Sequence, residues 1–243
     1  MQDPAFVKRA FAGVADRYVC TNHVLSLGLD ILWRKRLVRL VADAAPQTVL
    51  DLATGSGDVL SALERIYPEA RGIGVDFCPE MLVHARRRGL SNLLVADALC
   101  LPFAPGCVDA VTVAFGLRNM ESWPKALSEM NRVLRPGGRL FLLDFSLPTA
   151  PLFRRPYAFY LHWLLPRIAG LLTGKREAYA YLAESIDPFP SGAAMRALLM
   201  ESGFHSVQIQ PLTFGVACLY TAETPGAPAP AEDLGAPAGR AAR

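Results

Sequence analysis

An apolar stretch that contains a carboxylate runs directly into a glycine loop in VLDLATGSGDVL, residues 49–60. The apolar run predicts a buried strand that ends near Asp51, and Gly55 and Gly57 permit a close backbone approach to a ligand. A P-loop is excluded because no Lys-Ser or Lys-Thr pair follows the glycines. A dinucleotide fingerprint needs Gly or Ala three residues after Gly57, where this chain has Leu60. The loop therefore predicts a ligand other than a pyrophosphate.

Two further acids indicate what that ligand is. Asp76 ends the strand-like run GIGVDF, and Asp97 ends LLVAD. Because the carboxyl ends of parallel strands meet at one edge of a sheet, both are expected beside Asp51, where ligands bind in such folds. Three acids, with no basic residue expected nearby, suit a sulfonium and an ammonium better than a phosphate. Simple helix capping by Asp51 and Asp76 is the alternative, but three acids at one edge favour a site for S-adenosylmethionine.

Each predicted contact matches one part of S-adenosylmethionine. The carboxylate of Asp76 is expected to accept both ribose hydroxyls, and Asp97 is expected to accept the adenine amine. The backbone of Ala98 would reach the ring nitrogens, and Asp51 or Ser56 would bind the ammonium. No metal site is predicted. The remaining members of the predicted cofactor set are Gly55, Gly57, Phe77 and Ala114.

The elements that must position these residues follow from an alternation of short apolar runs with helical segments. This alternation predicts an α/β fold with a doubly wound, mostly parallel, seven-stranded sheet. The last two strand-like runs, HSVQIQPL and FGVACLYTAE, are too close in sequence for a parallel crossover. The last strand is therefore predicted to be antiparallel.

The predicted organisation is a single domain over residues 1–223. It comprises an N-terminal helical cap (1–45) with a break near Gly28, a cofactor-binding core (46–146), a helical insertion after the fifth strand (147–190), and a C-terminal helix and strands (191–223). Residues 224–243 are mostly Ala, Gly and Pro, a composition that predicts a disordered tail.

The composition excludes several classes of function. The chain has 25 basic and 22 acidic residues, for a net charge of +3, so no nucleic-acid surface is predicted. Five scattered cysteines without metal-ligand spacing predict reduced thiols in a cytoplasmic protein. The most apolar segment, FYLHWLLPRIAGLL (159–172), is interrupted by His162, Pro166 and Arg167, which predicts at most a peripheral contact with the inner face of the membrane.

The combined motifs resemble the UbiE/MenG family of quinone-biosynthesis C-methyltransferases, which are class I S-adenosylmethionine-dependent methyltransferases. The shared segments run from Phe11 to about Tyr220 and include FAGVADRY, VLDLATGSGD, FGLRN and YLAESI. The resemblance implies methyl transfer to a ring carbon of a polyprenylated quinol in menaquinone or ubiquinone synthesis. It leaves open whether the protein forms a homodimer or joins a quinone-synthesis complex.

The catalytic candidates come from the same resemblance. Arg118 and Asn119 of FGLRN follow the fourth strand and are expected to face the acceptor. Arg118 would stabilise the phenolate or lower its pKa through a water, and Asn119 would orient a ring oxygen. Tyr18 is a third candidate, with packing as its alternative role. The histidines His162 and His205 are weaker candidates for a general base.

Some positions depart from the family pattern. Val19 stands where the family usually has Asp, and Ala114 stands where it usually has a hydroxyl residue. The insertion segment YAFYLHWLLPRIAGLL is expected to line a channel for the prenyl tail, to lie on a membrane, or to pack as a lid helix. Two other functions stay open: methylation of an unrelated small molecule, and a catalytically silent subunit of a quinone-synthesis assembly.

Overall fold

A computed structural model describes residues 26, 28–148, 150–164, 167 and 185–226, and the account below concerns those residues. The N-terminal segment with Tyr18 and Val19, most of the second half of the insertion, and residues 227–243 lie outside them. Seven strands are present in the described part: β1 (Thr48–Leu52), β2 (Arg71–Asp76), β3 (Leu93–Val95), β4 (Val108–Ala114), β5 (Leu134–Phe145), β6 (His205–Leu212) and β7 (Ala217–Glu223).

Helices cover both faces of the sheet. Two short 3₁₀ turns follow β4 and β6, at Leu117–Asn119 and Thr213–Gly215. A π-helical turn, Tyr160–Leu164, continues the helix of the insertion. The described helices are α1 (Leu29–Asp43), α2 (Asp58–Ile66), α3 (Pro79–Arg87), α4 (Trp123–Val133), α5 (Pro151–Phe159) and α6 (Ala193–Glu201).

The sheet has the strand order β3-β2-β1-β4-β5-β7-β6. Neighbours from β3 to β5 pair in parallel, whereas β7 pairs antiparallel with both β5 and β6. The predicted mostly parallel, seven-stranded sheet with an antiparallel last strand is therefore confirmed. The strand order reverses at β1, with β2 and β3 on one side and β4 and β5 on the other, which creates a crevice at the carboxyl edge of the strands.

Two apolar clusters pack against opposite faces of this sheet. Because side chains alternate along a strand, Val49 of β1 points into the cluster with α1 and α2, and Leu50 points into the cluster with α4 and α6. Burial on both faces explains why β1 is almost wholly apolar. Asp51 interrupts this pattern and is nevertheless 2% exposed, so its charge has to be accommodated by the fold.

The predicted break near Gly28 coincides with the start of α1. Gly28 has a left-handed backbone with φ of 74°, and the helix begins at the next residue. Trp33, Leu37 and Val41 then face the sheet and are buried. None of the described helices combines the length and the apolar character that a membrane crossing requires.

Candidate cofactor and acceptor site

A cavity lies at the carboxyl edge of the sheet, where β1, β2 and β4 end. The loops after these strands form its walls, as expected for the crevice of a doubly wound sheet. Of the predicted site residues in the described part of the chain, the cavity is lined by Asp51, Gly55, Ser56, Asp76, Phe77, Asp97, Ala98, Ala114 and Asn119. Gly57 and Arg118 do not line it, and Tyr18 lies outside the described residues.

The carboxylate of Asp76 is held by two backbone amides. The N–H of Gly55 donates to Oδ2 at 2.8 Å, and the N–H of Cys78 donates to Oδ1 at 2.9 Å. Burial raises the pKa of Asp76, and these backbone hydrogen bonds act against the rise. Each carboxylate oxygen accepts more than one hydrogen bond, so Asp76 can still receive a pair of hydroxyl donors from a ligand.

Asp51 is a buried carboxylate whose partners are hydroxyls. Thr112 Oγ1 donates to its Oδ1 and Thr54 Oγ1 donates to its Oδ2, each at 2.6 Å. Burial raises the pKa of Asp51 to about 6, and the negative charges of Asp76 and Asp58 contribute to the rise. The buried surroundings disfavour the charged form of Asp51. A positive group of a ligand placed beside it would therefore stabilise the charged carboxylate.

Asp97 and Ala98 lie at the outer end of the same cavity. Asp97 is exposed, and its Oδ1 accepts the backbone N–H of Leu99 at 2.9 Å. This short turn fixes the carboxylate and leaves it accessible to solvent. The three predicted acids thus lie at or near the carboxyl ends of three adjacent strands, in the order Asp97, Asp76 and Asp51 along the sheet edge.

The two loop glycines have different surroundings. Gly57 has φ of +77°, and a Cβ there would meet Leu90 Cδ1 at 2.2 Å. Gly55 has φ of +57°, and a Cβ there would lie 3.2 Å from the flexible end of Met81. Its positive φ and the close packing of Leu90 beneath the loop therefore both favour glycine at position 57, and its expected approach to a ligand stays a prediction.

The FGLRN segment forms a strained turn after β4. Phe115 has a left-handed backbone with φ of 61°, which is uncommon for a bulky residue. Its carbonyl accepts hydrogen bonds from Arg118 Nη1 at 2.6 Å and from Asn119 Nδ2 at 3.3 Å. Both predicted catalytic side chains therefore stabilise this turn, and Asn119 also lines the cavity.

Arg118 lies behind the cavity wall rather than on it. The side chain is 2% exposed and its Nη1 is 2.7 Å from Oδ1 of Asp144, which is completely buried. The guanidinium also lies over the ring of Phe145, 5.0 Å from its centroid. The sequence predicts that Arg118 faces the acceptor. The side chain is instead buried, because its charge forms an ion pair inside the protein. Its contact with an acceptor stays a prediction.

Arg34 of α1 also lines the cavity. The expectation that no basic residue lies near the acids is therefore wrong. Arg34 precedes the loop by about twenty residues, and only the packing of α1 against the sheet brings it to this edge. The sequence carries one local signal for its position: Asp30, one helical turn earlier, is its salt-bridge partner.

The two candidate histidines, His162 and His205, lie away from the cavity. His162 Nε2 is 3.2 Å from Oδ2 of Asp187, and both side chains are about half exposed. His205 is the first residue of β6, at the edge of the sheet opposite the cavity, and it is also exposed. Neither residue lines the site.

Comparisons with known proteins agree with the geometry. A model of the ubiE/COQ5 methyltransferase family matches residues 1–224. A demethylmenaquinone methyltransferase from Thermus thermophilus is 46% identical over 220 residues, which cover 88% of this chain and 100% of the relative. A ubiquinone/menaquinone biosynthesis C-methyltransferase from Bdellovibrio bacteriovorus is 39% identical, covering 90% and 95%. The fold is similar to a SAM-dependent methyltransferase from Thermotoga maritima, with a TM-score of 0.64, 16% identity, and coverage of 89% and 99%.

Proposed function

Because the chain belongs to the ubiE/COQ5 methyltransferase family, we propose that it methylates a ring carbon of a prenylated quinol, with demethylmenaquinol as the first candidate. S-adenosylmethionine is the methyl donor. The observation that carries the proposal is the set of three acids, Asp51, Asp76 and Asp97, along one cavity at the sheet edge. Two relatives that cover most of the chain are named demethylmenaquinone methyltransferase, which favours the naphthoquinol over the benzoquinol.

The acidic cavity fits the donor part by part. Asp76 can accept two hydroxyls of a ribose, since its carboxylate is fixed from behind by backbone amides of Gly55 and Cys78. Asp51 offers a carboxylate with which a ligand ammonium would form an ion pair. When bound, the donor supplies an electrophilic methyl group on a positively charged sulfur. Among the described residues that line the site, Arg34 is the one Lys or Arg, so they form no basic cluster that would fit a pyrophosphate better.

The reaction requires a reduced acceptor. Loss of the phenolic proton places negative charge on the ring carbon ortho to the oxygen, and an oxidised quinone has no such nucleophile. The new bond joins this carbon to the methyl carbon as the sulfur–methyl bond breaks, and the ring carbon then loses its proton to restore the aromatic ring. Alignment of the two carbons would lower the activation free energy by several kcal/mol, up to the ~7–11 kcal/mol known for such effects.

Two residues of the FGLRN turn are proposed to act on the acceptor oxygen. Asn119 lines the cavity next to Met120 and Glu121, and its amide would orient a ring oxygen. Arg118 would favour the phenolate through its positive charge from behind the cavity wall, or lower its pKa through a bound water. Support for both roles comes from their shared hydrogen bonds to the carbonyl of Phe115, which couple them to one turn.

The proposal is tested with purified protein, S-adenosylmethionine and demethylmenaquinol, using mass spectrometry of the quinone product. The expected result is a gain of one methyl group with the reduced acceptor and none with the oxidised one. Asp76→Ala should abolish both saturable donor binding and turnover. Donor binding without methylation of any prenylated quinol would instead indicate an unrelated small-molecule acceptor. Absence of saturable donor binding would indicate a silent subunit.

We also propose a cytoplasmic location with peripheral contact at an anionic membrane, where the prenylated acceptor resides. Leu152, Phe159 and Trp163 are exposed and spaced seven and four residues apart along α5 and its π turn, which puts them on one face. Phe153 of α5 also stacks on the exposed ring of Phe214, with centroids 4.5 Å apart. Three exposed basic residues lie in the same segment: Arg154, Arg155 and Arg167.

Vesicle sedimentation tests this contact. Binding is expected to vesicles of phosphatidylglycerol and to be much weaker with phosphatidylcholine, because basic residues near a surface attract anionic lipids. Trp163→Ser should reduce binding, whereas Met200→Ser on α6, an equally exposed apolar residue, should not. Equal loss from the two substitutions would exclude a specific role for α5.

A further inference from the structure

We propose that Arg34 is a donor-binding residue that holds the α-carboxylate of S-adenosylmethionine. The inference rests on the proposed function only in taking S-adenosylmethionine as the ligand of this cavity, and it is independent of the acceptor. It concerns an N-terminal residue far from the glycine loop and from the three acids.

The first argument is charge balance within the cavity. The amino-acid part of S-adenosylmethionine carries an ammonium and a carboxylate, so its subsite has to offer groups of both signs. Among the described residues that line the cavity, Asp51, Asp58, Asp76, Asp97 and Glu121 are acidic, and Arg34 is the one Lys or Arg. Without Arg34, every charged side chain in the described lining would repel a carboxylate placed in this cavity.

The second argument is position along the sheet edge. The acids that suit the adenosine part, Asp97 and Asp76, follow β3 and β2, whereas Asp51 lies on β1. Arg34 lies at the far side of this series: its guanidinium is over the ring of Phe115, which follows β4, at 5.1 Å from the centroid. A ligand with adenine near Asp97 and ribose at Asp76 therefore has its amino-acid end toward Arg34.

Electrostatic coupling to the glycine loop agrees with that position. Although burial acts to raise it, the pKa of Asp58 is below its ordinary value, because the charges of Arg34 and Arg88 and a hydrogen bond from Ser56 favour the carboxylate. Asp58 is the first residue of α2, directly after the loop. The field of Arg34 therefore reaches the part of the cavity formed by Ser56 and Asp58.

The guanidinium is held in place before a ligand binds. Its Nη1 contacts Oδ2 of Asp30, which is 2% exposed and also accepts a hydrogen bond from Ser26 at 2.6 Å. The cation–π contact with the ring of Phe115 also holds the group at this position. A guanidinium has five N–H donors, so the contact through Nη1 leaves donors on Nε and Nη2 for a carboxylate. Such preorganisation favours a two-point contact that Lys cannot reproduce.

Calorimetry with two ligands separates this role from a structural one. S-adenosylmethionine and its decarboxylated form differ only in the carboxylate. Arg34→Gln is expected to raise the dissociation constant of S-adenosylmethionine by roughly 10- to 100-fold, the range for a lost charged contact, and to change that of the decarboxylated ligand less than about twofold. The matched control is Arg36→Gln, an exposed arginine of the same helix that does not line this cavity.

A second variant keeps the test decisive if Arg34→Gln does not fold. Arg34→Lys retains the charge but not the planar pair of donors. It is expected to weaken the binding of S-adenosylmethionine by roughly three- to tenfold and to leave the binding of the decarboxylated ligand unchanged. Equal weakening of both ligands, or no weakening of either, would overturn the inference and leave Arg34 as a packing residue of α1. Failure of the unaltered protein to bind either ligand would overturn the donor assignment itself. Normal donor binding without quinol methylation would overturn only the proposed acceptor.

Discussion

At the scale of the residue, Asp51 bears a charge that the fold does not neutralise. Its two hydrogen bonds come from the hydroxyls of Thr54 and Thr112, and burial raises its pKa from 3.8 to about 6. Between these two values the folded protein binds more protons than the unfolded chain, so this residue makes stability fall as pH rises from about 4 to about 6. Above that range the ionised form costs on the order of 3 kcal/mol.

We therefore expect Asp51→Asn to stabilise the protein while it weakens donor binding. At pH 7.5 the free energy of unfolding in urea should rise by ~1–3 kcal/mol, because a neutral amide of the same shape removes the buried charge. The gain should shrink as pH falls from about 6 to about 4 and disappear below about pH 4, where Asp51 is protonated in both the folded and the unfolded chain. Asp97→Asn is the control, since substitution of an exposed carboxylate should change the free energy of unfolding by less than ~0.5 kcal/mol. A pH-independent effect of Asp51→Asn would contradict the burial of a charge here.

The pair of Arg118 and Asp144 is the opposite case, in which a buried charge is matched inside the protein. Asp144→Asn removes the negative charge beside the buried guanidinium of Arg118, so it should lower the free energy of unfolding by ~3–5 kcal/mol. The control is Arg139→Gln, which breaks a pair with Glu223 whose side chains are 49% and 34% exposed and should cost less than ~1 kcal/mol. Comparable losses in urea denaturation would show that Arg118 does not depend on Asp144.

At the scale of the element, the turn between β1 and α2 depends on Gly57. Gly89, in the loop between α3 and β3, has a similar backbone conformation and serves as the comparison. Gly57→Ala should cost ~3 kcal/mol, because a Cβ would meet Leu90 Cδ1 at 2.2 Å and a left-handed backbone adds about 1 kcal/mol. Gly89→Ala shares the positive φ but has no atom within 4 Å of its Cβ. It should cost only about 1 kcal/mol. Chemical denaturation of both variants measures the difference.

A converse result would be informative about the loop. Equal costs for the two glycine substitutions would mean that Leu90 moves aside without penalty and that only the backbone conformation matters. In that case the predicted approach of Gly57 to a ligand, rather than its packing, would become the better explanation for glycine at this position.

Elements were predictable from the sequence because their signals are local. The apolar runs and the acids that end them lie within a few residues of each other, and parallel strands bring such ends together. The position of Arg34 was not predictable, because it follows from the packing of α1 on a sheet formed by distant strands. The burial of Arg118 was missed for the same reason: its partner Asp144 lies 26 residues later, on β5. Charge at a strand end indicates a site, but its partner depends on tertiary structure.

At the scale of the whole molecule, the cavity is a product of three separate parts of the chain. The core strands supply the acids, α1 supplies the one cation found in the described lining, and the turn after β4 supplies Asn119. A change that shifts α1 relative to the sheet therefore alters the electrostatics of the site without touching the glycine loop. The apolar contacts of Trp33 with Phe115 and Phe145, at centroid distances of 6.2 and 6.1 Å, hold this arrangement.

The end of the described chain also ties distant parts of the fold together. Thr224 is 3% exposed, and its Oγ1 donates to the carbonyl of Arg135 at 2.6 Å. Its N–H donates to the carbonyl of Gly138 at 2.9 Å, and the N–H of Gly137 donates to the carbonyl of Pro225 at 3.1 Å. The turn at the start of β5 is thus closed by residues that follow β7.

Truncation separates these contacts from the Ala-, Gly- and Pro-rich residues after them. A chain that ends at Gly226 should unfold at the same temperature as the full chain, because the composition of residues 227–243 predicts no buried core. A chain that ends at Glu223 should lose ~2 kcal/mol, at about 1 kcal/mol for each of the two hydrogen bonds that the buried Thr224 donates, and melt ~4–8 °C lower. Scanning calorimetry measures both. A loss already present in the chain ending at Gly226 would show that the last residues contribute to the folded domain.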